Sequence, residues 1–151
     1  MAVKTILWPT DLSENSLKAA PKVAEFSDKF QAKVILLYVA LELENYFPAY
    51  GGPSLEQAKE FQGYELKEAE KRMQRLCDEE LNACPGLDVR VTTGKPADKI
   101  VAMARDEGVD LIIMASTGYG TSSGDEDYPF GSTADKVVRR SPVDVHVVRT
   151  R

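Results

Sequence analysis

Apolar residues in this chain fall into two alternating rhythms. Short, nearly continuous runs occur at KTILWP (4–9), KVILLYVA (33–40), LDVRVTT (87–93), DLIIMA (110–115) and VDVHVVRT (143–150). Each predicts a strand. Continuous apolarity, clearest in KVILLYVA, means that both faces of the strand are covered, which is the mark of a parallel sheet. Between the runs, apolar positions recur at helical spacing. Leu17, Ala20, Val23, Ala24 and Phe26 or Ser27 define a first helix within residues 11–30, with Ser13 as its N-cap and Pro21 as a kink unless it falls in an early turn. Leu66, Ala69, Met73, Leu76 and Leu81 mark a long helix over 54–83, which Gly63 threatens to interrupt. Pro96 opens a helix with Ile100, Val101 and Ala104 on one face, and STADKVVRR (132–140) forms a short last helix.

Strands alternating with helices specify an α/β fold. Five strands form a parallel, doubly wound sheet with right-handed crossovers. No repeat, linker or low-complexity segment divides the chain, so residues 1–151 are expected to form a single domain. In such a sheet, ligands bind outside the carboxyl ends of the strands. Attention therefore falls on PTDLS, VALEL, TGKPA and the long segment ASTGYG…GST.

That last segment has the makings of a phosphate site. Gly118 and Gly120 permit a tight turn, Gly131 permits close backbone approach, and Ser132 and Thr133 place hydroxyls at a helix start. The same residues are also ordinary caps and loop formers, so both readings stand. The common nucleotide fingerprints fail: GYGTSSG has Ser123 where GxGxxG needs its third glycine, and no GxxxxGK[ST] occurs.

Charge and composition narrow the partners. A net charge of -5 argues against nucleic acid. No apolar run approaches the ~20 residues of a membrane span, and the N-terminus lacks a signal peptide's apolar region. Cys77 and Cys84, seven apart, match neither a redox pair nor a metal pattern, so two free thiols in the cytoplasm are expected. His146 alternates with valines and reads as a strand residue rather than a base, and Glu79–Glu80 read as a solvated helix face. No catalytic constellation is visible.

The fragments KTILWPTDLSENSLKAA, AKVILLYVA, GKPADKIVAMARDEGVDLIIMAS and GSTADKVVRRSPVDVHVVR, in this order and spacing, resemble the universal stress protein family over nearly the whole length. The resemblance implies a sheet in order 3-2-1-4-5 flanked by helices, of the adenine-nucleotide alpha-hydrolase-like kind. It implies a stress-response regulatory protein that binds an adenine nucleotide, ATP, with Mg2+ beside it and without clear turnover. It also implies a homodimer. ATP-binding members carry glycine, two residues, glycine, nine residues, glycine, then serine or threonine. These positions align here with Ala115, Gly118, Gly131 and Ser132, with Thr133 following. Alanine replaces the first glycine, and twelve residues stand in place of nine. The extra length carries Asp125, Glu126 and Asp127, candidate partners for a divalent ion, within a segment 119–130 expected to be mobile without ligand. Asp11, flanked by Pro9 and Thr10, matches the acid that reads adenine, and Val39 matches the residue whose backbone meets the adenine edge. Asp11 as a turn acid and Val39 as plain core stand as parallel readings. The last strand, Val143 to Arg149, lies at a sheet edge in the implied order and is apolar, so it is the expected dimer seam. The alternatives are a scaffold of the same fold that has lost nucleotide binding and works through protein contacts, and a weak ATPase.

Overall fold

The computed structural model describes residues 2–42, 54–82, 84–118 and 130–150. Five strands, β1 (Thr5–Pro9), β2 (Lys33–Ala40), β3 (Leu87–Thr93), β4 (Leu111–Ala115) and β5 (Asp144–Val148), form one sheet in order β3-β2-β1-β4-β5. All four pairings are parallel. Between them run α1 (Glu14–Leu17), α2 (Ala20–Phe30), α3 (Leu55–Glu80), α4 (Pro96–Asp106) and α5 (Ser132–Arg140).

The central strands are apolar throughout because alternate residues feed two cores. Ile6, Trp8, Val34, Leu36 and Ile113 face one way, against Val23 of α2 and Met73 of α3. Leu7, Ile35, Leu37, Ile112 and Met114 face the other, against Ile100 of α4 and Val137 of α5. A strand with period-2 geometry and helices on both sides leaves no position for a polar side chain.

Three local expectations are corrected. The first helical segment is two helices. Ser13 caps α1, its side chain accepting from the Ser16 N–H, but α1 ends at Leu17. Pro21 then falls in the first turn of α2, where its missing N–H costs nothing and no kink forms. Of the two candidates for the buried position, Ser27 takes it, fully buried and donating to the Ala32 carbonyl at 2.7 Å. Gly63 does not interrupt α3, which runs 26 residues from a capping box at Ser54 and Gln57. Propensity from the neighbouring turns outweighs the ~1 kcal/mol that one glycine costs. Alternation along LDVRVTT predicts Leu87, Val89 and Val91 inward, but Leu87, at 37% exposure, opens the edge strand β3, and only Val89 and Val91 pack on the core. Val101 is half-buried, and Ala97 joins Ile100 and Ala104 on the buried face of α4.

Cys77 and Cys84 are free thiols, and burial pushes the Cys77 thiol up. Among the described residues no helix is long and apolar enough to cross a membrane.

Candidate functional site

At the carboxyl ends of β1, β2 and β4 the sheet opens into a cleft of about 850 Å³. Strand order reverses between β1 and β4, so the helices after these strands leave towards opposite faces and a crevice forms between them. The volume suits a cofactor-sized molecule.

One wall is the turn from β1 into α1. Its backbone is bent by side chains of its own sequence. The Thr10 Oγ1 accepts from the Leu12 N–H at 3.0 Å and lies 2.7 Å from the Ser16 Oγ. The Asp11 Oδ1 accepts from both the N–H and the hydroxyl of Ser13. These two short polar loops drive Leu12 to a φ of 64°, a left-handed conformation unusual for a branched residue. From α3, Arg72 donates to the Leu12 carbonyl at 2.9 Å and holds the strained residue in place. Pro9 and Val39 line the cleft from the strand ends on either side. The Thr10 N–H donates to the Leu37 carbonyl at 2.9 Å and continues the β1–β2 ladder past the last strand residue.

The opposite wall comes from β4 and α5. Ala115 is 7% exposed and packs in the first core while bordering the cleft. Gly118 has a steric role that its place in a glycine pattern does not reveal. A Cβ on it would stand 2.1 Å from the Asp11 Oδ2, so the glycine makes the room in which the Asp11 carboxylate sits. Gly131 is the N-cap of α5, and no side chain caps that helix. The Gly131 N–H is already spent, donating to the Ser116 carbonyl at 2.7 Å. The donors that face a ligand are therefore those of the first turn, at Ser132, Thr133 and Ala134, all of which line the cleft. The floor is tied by hydroxyls: Ser116 and Thr117 both bond the Thr150 hydroxyl, and the Thr150 N–H donates to the Ser116 Oγ.

The profile of the universal stress protein family matches residues 2–149. The chain belongs to the universal stress protein family. Universal stress protein MJ0577 of Methanocaldococcus jannaschii is 32% identical over 160 residues, covering 98% of this chain and 96% of that one. Universal stress protein UspA from Lactobacillus plantarum superimposes with a TM-score of 0.81 at 27% identity, over 99% of each chain. A universal stress protein solved in complex with cAMP superimposes with a TM-score of 0.63 at 26% identity, over the whole of both chains. The observed strand order is thus the fold of this family.

All nine residues singled out in the sequence, from Pro9 to Thr133, border this one cleft. The acidic insertion 119–129, with Asp125, Glu126 and Asp127, lies outside the described residues. So does the Tyr46–Tyr50 segment, which by covering the edge of the last strand would leave a monomer instead of a dimer. Among the described residues no cluster of three or more potential metal ligands occurs. His146 is not a cleft residue; its ring stands edge-on to Phe26 at 4.9 Å.

Several charged and polar lining residues were not among the candidates read from the sequence, Asp98 among them. Tyr38 donates to the Glu65 carboxylate at 2.9 Å, joining β2 to α3, and burial together with this acceptor pushes the phenol up to about 12. Lys95, Lys136 and Arg140 add positive charge from outside the glycine-rich segment. A signal for two of them was available, since Ser132, Lys136 and Arg140 recur every four residues on one face of α5. Lys95 lies in the TGKPA segment expected at the ligand side of the sheet, but its place beside the α5 cations depends on the packing of α4 on α5.

Proposed function

We propose that this universal stress protein binds an adenine nucleotide, ATP, as a regulatory ligand without clear turnover. The observation that carries the reading is the meeting of two unlike ends in one cleft. At one end the Asp11 carboxylate and the Val39 strand end offer an acceptor and a flat backbone edge, suited to a purine. At the other, the uncapped first turn of α5 offers backbone donors and the positive end of a helix dipole, suited to phosphate. The cAMP complex of a 26% identical relative supports the ligand class. Mg2+ would accompany the triphosphate.

The test is calorimetry with ATP and magnesium on the full chain and on Ser132→Asp. An acid in the first turn of a helix favours the helix but repels phosphate. The variant is expected to unfold no earlier than the wild type and to lose most ATP affinity. Absence of binding heat in the wild type, with no nucleotide released on denaturation, overturns the reading and favours a scaffold that works through protein contacts.

We further propose that Val143 to Arg149 forms a homodimer seam. Among the described residues β5 pairs only with β4, which leaves its outer edge of N–H and C=O groups as a template for a second copy. Sedimentation equilibrium on wild type and Val147→Pro tests this: a wild type that is monomeric at micromolar concentration sinks it.

A further inference from the structure

Three cations on the cleft rim belong to none of the glycine and hydroxyl positions discussed above. Lys95 is the N-cap residue of α4, and its neighbour Asp98 sits in the first turn. Lys136 and Arg140 come from α5, which packs beside α4. Arg140 reaches across, its Nη1 donating to the Asp98 Oδ1 at 2.7 Å. Asp98 is held below the usual carboxylate range, first by that hydrogen bond and further by the charges of Arg140, Lys95 and Lys136. All four groups line the same cleft. Three cations face a single carboxylate. Among the described residues neither Lys95 nor Lys136 forms an ion pair.

A chain of net charge -5 has acids to spare for pairing surface lysines. Here positive charge exceeds negative on one side of the cleft, at Lys95 and along α5 from Lys136 to its last residue Arg140, while the acids Asp11 and Glu65 line the cleft from the β1–α1 turn and α3. Like charges gathered in a cleft repel, and the concave wall focuses their field towards an incoming anion. A compact single charge would need one of these cations. Three, spread over two helices, fit an anion with several charged groups in a row.

Resting on the nucleotide reading above, we propose that Lys95, Lys136 and Arg140 form a polyphosphate subsite. It makes the cleft selective for a triphosphate over a monophosphate or a bare nucleoside. Asp98 acts as an internal stand-in anion that occupies Arg140 until the outer phosphates displace it. The subsite supplies the positive charge that residues 115–133 lack, since that segment contains no lysine or arginine.

The experiment titrates ATP, AMP, adenosine and inorganic tripolyphosphate into wild type, Lys95→Gln, Lys136→Gln and Asp98→Asn at fixed ionic strength. Urea midpoints check that each variant is folded. Each lysine variant is expected to lose about fivefold in affinity for ATP and tripolyphosphate, under about twofold for AMP, and nothing for adenosine. Asp98→Asn is expected to bind ATP about threefold more tightly, because Arg140 is released. A merely structural role for the Asp98–Arg140 pair predicts the opposite sign, and weaker ATP binding by Asp98→Asn overturns the proposal. Lysine variants that bind ATP like the wild type overturn it too, while leaving the nucleotide reading intact. Lysine-dependent binding of tripolyphosphate without any binding of adenosine or AMP supports the subsite and removes the adenine reading. No binding of any of the four by wild type overturns both.

Discussion

The two walls of the cleft are built on opposite terms. The β1–α1 wall is self-satisfied: Thr10, Asp11, Ser13 and Ser16 bond one another or the adjoining backbone, and Arg72 fastens Leu12 from behind. The β4–α5 wall is left open, with α5 uncapped by any side chain and with Lys136, and Lys95 at the start of the adjoining α4, free of ion pairs among the described residues. A preorganised wall costs little to keep in shape when a ligand arrives, whereas an unsatisfied wall gains most from its arrival. Substitutions on the first wall should therefore show in stability, and those on the second in binding.

The largest expected effect is on the closed wall. Thr10→Val removes the acceptor of the Leu12 N–H and the partner of the buried Ser16 hydroxyl, and should cost about 2 kcal/mol in urea unfolding. Thr133→Val, the matched change on the open wall, should cost under ~0.5 kcal/mol. Equal losses would break the comparison. Next is Gly118→Ala, which joins the walls: its methyl must displace the Asp11 carboxylate from the place where Ser13 holds it, at about 1 kcal/mol. The companion Asp11→Ala should absorb the same methyl without further loss, and a double-mutant cycle in urea measures the difference.

A smaller effect sits behind the closed wall. Tyr38 keeps its proton more tightly when folded than when unfolded, so its contribution is full below pH 10 and is lost as pH rises from 10 towards 12. Wild type should lose about 1 kcal/mol more than Tyr38→Phe across that window, read from urea midpoints at both ends. The smallest effect is Lys136→Gln. Removing an unpaired cation from a crowded rim should leave stability unchanged or raise it by a few tenths of a kcal/mol, more so at low salt. A clear loss would show that the open wall is not open.

The fold was legible because burial on both faces writes itself as unbroken apolar runs, as in KVILLYVA, and the strand order follows from the family resemblance. The break between α1 and α2 was less so, since Leu17 and Ala20 keep helical spacing across it and only Pro21 marks it. Chain direction pointed to the segments at the strand ends, and the family resemblance named Pro9, Thr10, Asp11, Val39 and Ala115 within them. What could not be read was proximity between distant elements. Gly118 accommodates Asp11 across more than a hundred residues, and Arg72 reaches Leu12 across sixty. Lys95 meets the α5 cations only because α4 packs on α5, a contact that no local pattern records.

The clasp at Thr150 has a consequence for the order of events during synthesis. The hydrogen bonds described for the closed wall join residues before residue 81, so they can form once β1, α1, β2 and α3 have emerged. The cleft floor is different. Ser116 and Thr117 cannot be tied down until β5 has been made, laid against β4, and followed by Thr150. The two halves of the pocket therefore differ in contact range: one rests on contacts within the early part of the chain, and the other waits on a pairing across more than thirty residues.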